Sequence, residues 1–126
     1  MKAVYKAASP YQEDKMNLPV GDVEAAIPFY EQTMGFEVVS KQDSPVKSVI
    51  LGRDDIQIGL AENGGDSSQD GCFFVVDRVA TAYLEIYGAP DIEGKISLKE
   101  VGGISYLAFF VIAPDGLCYM IAEPQS

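Results

Sequence analysis

At 126 residues, with 48% apolar, 22% charged and 10% aromatic residues, the chain has the composition of one soluble globular domain, and a disordered or fibrous chain is excluded. Nine Lys and Arg against nineteen Asp and Glu leave a net charge of −10, a field that repels a phosphate backbone, argues against nucleic acid as a partner and draws in cationic small molecules. There is no histidine, so no Ser-His-Asp or Cys-His nucleophile, no His general base and no His-containing metal site can form; any chemistry would fall to carboxylates, Lys, Tyr or Cys.

The N-terminal run Met1 to Lys6, followed by Ser9-Pro10-Tyr11-Gln12-Glu13-Asp14-Lys15, has no apolar leader region. No stretch approaches the ~20 apolar residues that span a bilayer, so no membrane partner and a cytoplasmic location are expected. Met16 to Val20 alternates as a short strand, with Met16, Leu18 and Val20 on one face and Lys15, Asn17 and Pro19 on the other. Asp22 supplies an N-cap, Glu24 a favourable first-turn charge and Gly35 a left-handed stop, which predicts a helix from Val23 to Met34. Its stripe is Val23, Ala26, Ile27, Tyr30 and Met34. Pro28 inside it deletes a backbone bond and bends the helix.

Short β-like runs follow at Phe36–Ser40, Ser48–Gly52 and Ile56–Ala61. Residues 62–71, the most polar and glycine-rich stretch, read as a linker in which Glu62, Asp66 and Asp70 are solvated. The same grammar then repeats. Cys72–Val76 is an apolar strand, Asp77 a candidate N-cap, and Val79, Ala82, Tyr83, Ile86 and Tyr87 a helical stripe ended by Gly88-Ala89-Pro90. Strands at Lys95–Val101, Ile104–Ile112 and Leu117–Glu123 complete the chain, the last two joined by the turn Ala113-Pro114-Asp115-Gly116. Val20, Val23 and Ala26 recur, offset by 56 residues, as Val76, Val79 and Ala82. The expectation is an α+β fold: a single domain, 1–126, built from a βαβββ module at 14–62 and a second at 71–124, joined by the linker 62–71. Cys72 and Cys118, in apolar runs without CxxC spacing, read as reduced thiols and small core hydrophobes. Phe29, Tyr30, Tyr83 and Tyr87, at helical spacing, read as core.

The run Leu18-Pro19-Val20-Gly21-Asp22-Val23-Glu24-Ala25-Ala26-Ile27-Pro28-Phe29-Tyr30, with Met34-Gly35-Phe36 and Ala113-Pro114-Asp115-Gly116, resembles the vicinal oxygen chelate superfamily. That superfamily includes glyoxalase I, the extradiol dioxygenases, fosfomycin-resistance transferases and the bleomycin-resistance proteins. The resemblance spans about residues 14 to 124 and implies two βαβββ modules whose sheets form a cup-like half-barrel, completed in a homodimer. It also implies a divalent metal held by His, Glu or Gln at equivalent places in each module. Carried onto this chain, those places are Lys15, Gly71, Met120 and Gly59: a cation, two glycines and a thioether, which cannot hold a hard divalent ion. A slip of two residues would bring Gln57 to the place of Gly59, and one ligand makes no site. Glu123, three residues past Met120, points to the opposite face. No metal or other cofactor and no catalytic residue are therefore expected.

The strand alternation turns Lys15, Asn17, Gln57, Phe73, Val75, Cys118 and Met120 into the cup; Tyr106 and Phe110 share one face of their strand and are candidates to border it, that face being left open by the pattern. Such a lining suits an apolar, aromatic or cationic small molecule oriented by a few polar groups, as in the bleomycin-resistance proteins, which the resemblance makes the nearest analogy. Two alternatives stand beside it. One is a metal-dependent lyase, isomerase or dioxygenase of the glyoxalase type with atypical ligands from Gln57, Glu123 or a partner chain. The other is a protein-interaction module whose cup is filled by side chains.

Overall fold

The computed structural model describes residues 3–10, 15–66 and 70–125 of the chain. Nine strands and two α-helices run in the order β1 (Tyr5–Pro10), β2 (Leu18–Pro19), α1 (Val23–Pro28), β3 (Glu37–Gln42), β4 (Ser48–Arg53), β5 (Ile56–Ala61), β6 (Asp70–Val76), α2 (Val79–Tyr87), β7 (Ser97–Val101), β8 (Ile104–Ile112) and β9 (Cys118–Pro124). They form a four-stranded sheet, β2-β5-β4-β3, and a five-stranded sheet, β1-β6-β9-β8-β7. The fold is α+β, as the sequence predicts.

The two sheets repeat one order. In each, the strand before the helix pairs in parallel with the last strand, Leu18 opposite Leu60 and Phe74 opposite Ile121. The other two strands continue outward as antiparallel neighbours. β1 was not expected from the sequence; it adds an edge to the second sheet, Ser9 opposite Phe73.

The first helix departs from the regular α-helix expected over Val23–Met34. Asp22 caps it as foreseen, its Oδ1 accepting from the Ala25 N–H at 3.2 Å. The α-helix proper stops at Pro28, and Phe29–Thr33 continue as a π turn. Proline brings no N–H to the ladder, and the widened turn absorbs that loss while keeping Tyr30 and Met34 buried. Gly35 and Gly88 take the left-handed conformation, φ 74° and 72°, that stops each helix.

Asp77 does not cap α2. The N-cap position belongs to Arg78, whose side chain makes no cap bond, while the Asp77 carboxylate accepts from Val4 N–H at 2.8 Å. The α2 entry is capped from a distance: Val79 N–H donates to Glu123 Oε1 at 2.8 Å, just as Val23 N–H donates to Glu62 Oε2 at 3.0 Å in the first helix. Glu62 is therefore a structural group, and Asp70 and Gly71 begin β6, so the linker is shorter than 62–71. Residues 67–69 of that linker, and 11–14 before β2, lie outside the described residues.

The principal core gathers Val23, Ala26 and Ile27 of α1, Val79 and Ala82 of α2, and the facing side chains of both sheets. Its centre is aromatic. Tyr119 stacks on Phe74 with centroids 5.4 Å apart, and Tyr30 meets Tyr119 edge-on at 5.9 Å. Their hydroxyls share a buried hydrogen bond of 2.6 Å. Burial raises both phenols above their ordinary pKa, so both stay protonated, and each hydroxyl can give as well as accept. A smaller cluster, Phe73, Tyr106, Ala108, Met120 and Ala122, lies apart on the helix-free face of the five-stranded sheet.

Candidate ligand-binding site

The residues expected to line the cup separate onto the helix-free faces of two sheets. Phe73, Met120 and Tyr106 come together on the five-stranded sheet: Phe73 is opposite Met120 in the register, and its ring meets Tyr106 edge-on at 5.0 Å. Cys118 lies on the same face of β9, half-buried and opposite Ile112, so it is not the core hydrophobe expected of it. Cys72 is buried core, and burial pushes its thiol up to about 12 against the opposing pull of Lys15. Phe110 shares the face with Met120 and is 49% exposed, with Lys99 Nζ 5.8 Å from its ring centroid. Tyr30 is buried, Phe29 and Tyr83 pack against the core, and Tyr87, expected in the core, is 49% exposed, its hydroxyl bonded to the Phe110 carbonyl.

Gln57 belongs to β5 of the four-stranded sheet, and Lys15 and Asn17 lie in the turn just before β2. A cavity of about 920 Å³ opens over this face, lined among others by Lys15, Met16, Glu37, Val39, Asp55 and Gln57. Lys15 Nζ donates to the Ala8 carbonyl at 3.4 Å. Asn17 lies by a second, smaller cavity of about 140 Å³, with Ser40, Gln42, Ser48 and Ile50. Met16 lines both cavities, against the expectation that it packs on the helices, because strand alternation begins only at Leu18.

The four places carried over from the resemblance can be tested against this geometry. Since Leu18 pairs with Leu60 and Phe74 with Ile121, Gly59 and Met120 are equivalent, and Gln57 is not at that place. Gly59 donates its N–H to the Lys15 carbonyl at 2.9 Å, and a Cβ there would run into the Met16 backbone. A Cβ on Gly71 would lie 2.7 Å from the Tyr119 ring. Neither position has room for a ligating side chain, and the set Lys15, Gly59, Gly71 and Met120 does not fit a divalent metal. Among the described residues no group of three or more Cys, Asp and Glu is placed to hold one.

Arg53, at the end of β4, lies under the first cavity and is 8% exposed. Its guanidinium donates to the Met34 carbonyl at 2.6 Å, and to the Ala3 carbonyl and Glu85 at 2.8 Å each. It lies 4.3 Å from the Tyr5 ring centroid, and Asp54 Oδ2 is 3.4 Å from its Nε. Three carboxylates, Glu85, Asp77 and Asp54, accept the successive N–H groups of Ala3, Val4 and Tyr5. This clamp ties the first residues to β4 and α2 and so builds one wall of the cavity. No local signal in the sequence marks the clamp: Arg53 is followed by Asp54 and Asp55, and its other partners Met34, Ala3 and Glu85 are far away in the chain.

Residues 13–119 match the family model of the Glyoxalase/Bleomycin resistance protein/Dioxygenase superfamily. The chain belongs to this superfamily. Solved structures of the same fold include a bleomycin resistance determinant encoded on the transposon Tn5, 21% identical, with 91% of this chain and 99% of that one aligned at a TM-score of 0.63. An antibiotic binding protein, TnmS3, from a Streptomyces species is 17% identical over 90% of this chain and 97% of that one, TM-score 0.60. Lactoylglutathione lyase from Agrobacterium tumefaciens is 17% identical over 91% and 95%, TM-score 0.61. No curated protein matches the sequence significantly. Within the superfamily the chain thus has binding proteins and an enzyme as neighbours in fold, and the side chains of its own cup must decide between them. No helix among the described residues is long and apolar enough to cross a membrane.

Proposed function

We propose that this protein is a metal-independent binder of small organic molecules, acting as a cytoplasmic homodimer that sequesters its ligand against the helix-free faces of its sheets. The observation that carries the reading is the cavity of about 920 Å³ over β3, β4 and β5, within the range of about 300–1,000 Å³ typical of ligand pockets. Its lining is more polar than the largely apolar cleft the sequence leads one to expect: Lys15, Glu37, Asp54, Asp55 and Gln57 stand around apolar contacts from Met16 and Val39 and are suited to orienting a polar guest. The bleomycin-resistance determinant and the antibiotic-binding protein among the fold neighbours support the same reading by analogy.

Metal independence is supported by the closed places at Gly59 and Gly71, where a ligand side chain would collide with the Met16 backbone or the Tyr119 ring. The homodimer is supported by the helix-free face of the five-stranded sheet, where Ile104, Phe110 and Ile112 are 49%, 49% and 69% exposed beside Phe73, Tyr106 and Met120. A second copy covering that face would remove a contiguous apolar patch from water.

A thermal-shift screen of chelator-treated protein against organic cations, aromatic acids and Mn²⁺, Zn²⁺ and Ni²⁺ tests the reading. A ligand at 100 times its dissociation constant adds about 2.7 kcal/mol, several degrees in Tm for a domain this size. Stabilisation by an organic compound without metal is the expected result. Stabilisation by metal alone, together with stoichiometric metal in untreated protein, would replace it with a glyoxalase-type enzyme.

A further inference from the structure

The floor of the larger cavity narrows the chemistry of its guest, an inference that rests on the proposed binding function. Glu37, Gly52 and Gln57 stand in one cross-strand row: Glu37 is opposite Gly52, and Gly52 is opposite Gln57. With strands about 4.8 Å apart, the two outer residues are about 10 Å apart at Cα, and the residue between them carries no side chain of its own. The bulge between Val38 and Ser40 brings Val39 alongside, its Cγ2 3.0 Å from where a Cβ on Gly52 would lie. One pleat further on, the Met16 backbone closes the row by lying over Gly59; at the other end stands the Asp54-Asp55 turn.

Gly52 has no positive φ that would require glycine, and its missing Cβ would meet only a methyl group, Gln57 Cγ and one carbonyl. The glycine is therefore set by the close approach of the Val39 methyl rather than by backbone conformation. The Glu37 and Gln57 side chains are exposed and carry no hydrogen bond among the described residues.

We propose that this row seats a flat organic cation, its ring face on the Gly52 backbone and the Val39 methyls, its charged N–H edge toward Glu37 and a second polar edge toward Gln57. A planar face needs a low floor, which the Gly52 backbone and the Val39 methyl packed beside it provide. A delocalised N–H cation, an amidinium or a protonated amino-heterocycle, matches a carboxylate through charge-assisted hydrogen bonds. Asp55 and the net charge of −10 give that end a negative potential, the charge of Asp54 being offset by Arg53 beneath it. Lys15, bonded through its carbonyl to β5 and through its Nζ to the Ala8 carbonyl, stands beyond β5, with β5 and β4 between it and the strand of Glu37.

Benzamidine, with benzamide and benzoate as its neutral and anionic isosteres, is a direct probe, read by backbone amide shifts in titrations of the labelled protein. Benzamidine is expected to move the amides of Glu37, Val39, Gly52 and Gln57 and to bind on the order of tenfold tighter than either isostere, a preference that weakens with added salt. Glu37→Gln should remove the preference, and Gly52→Leu should abolish binding. Gly52→Ala, whose Cβ fits with a small movement of Val39, should weaken binding while leaving the unfolding midpoint near that of the parent. Equal binding of all three compounds, or an unchanged preference in Glu37→Gln, would overturn the assignment. So would amide shifts at Phe73 and Tyr106 in place of Gly52, although that result would leave the binding function standing. Absence of binding by these and by every compound in the thermal screen would remove both.

Discussion

Gly59 and Gly52 sit on neighbouring strands of one sheet, and only the first is enforced by backbone packed against it. A methyl on Gly59 would collide with the Met16 backbone, which cannot swing away as a side chain does. Gly59→Ala is expected to destabilise the protein by about 2–3 kcal/mol, measured by denaturant unfolding. Asp115 makes a second prediction. Its Oδ2 is buried without a partner, and burial, with the nearby Asp22 charge, raises its pKa in the folded protein. A raised carboxyl pKa means that the folded state holds the proton more tightly than the unfolded state. The associated stability is therefore present below the unfolded value of about 3.9 and is lost as pH rises through the folded value. Asp115→Asn should raise Tm at neutral pH, with the gain shrinking toward pH 4; a lower Tm at neutral pH would show that the carboxylate makes a needed bond. The sequence identified Gly59 and Gly71 as wrong for metal ligation. It could not show why they are glycine, because the obstructing atoms come from Met16 and from Tyr119, far away in the chain.

Elements were legible where local rules decide and illegible where a remote side chain replaces the local one. Both helices, their glycine stops and the strands that follow them can be read from periodicity and turn residues. Asp77 looked like the cap of α2, yet it serves Val4, and Glu123 reaches across from β9 to take the role. In α1 the local cap Asp22 stands, and Glu62 adds a second acceptor at Val23 N–H. Glu62→Ala and Glu123→Ala should each cost about 1 kcal/mol, as lost N-terminal caps do. If either is neutral by chemical denaturation, its cap is dispensable. β1 was missed because its partner β6 lies some 65 residues away and its sequence lacks a strong alternation. The clamp that anchors the chain just before β1 is a further element-scale test. Removing Arg53 leaves Glu85 facing a buried site without its cation, so Arg53→Ala is expected to cost about 3 kcal/mol and to loosen residues 3–5 in hydrogen exchange.

At the scale of the molecule, the repeated sheet order divides the cup into two unlike halves. One is polar and open, around Glu37, Gly52 and Gln57; the other is aromatic and partly filled, around Phe73, Tyr106 and Met120. Phe73, Tyr106 and Met120 share a face as alternation suggests, whereas Met16 lines the cavities against it, and how the two sheets sit is not written in local pattern. Exposed Phe110 and Ile112 predict self-association: sedimentation at micromolar concentration should give a dimer, and Phe110→Glu should shift it toward monomer. The central claim, ligand binding in a cup that needs no metal, is tested most directly by titration calorimetry of the best organic hit against the same protein before and after chelation. The account predicts one dissociation constant for both samples. An affinity that vanishes on chelation and returns with a divalent ion would contradict it.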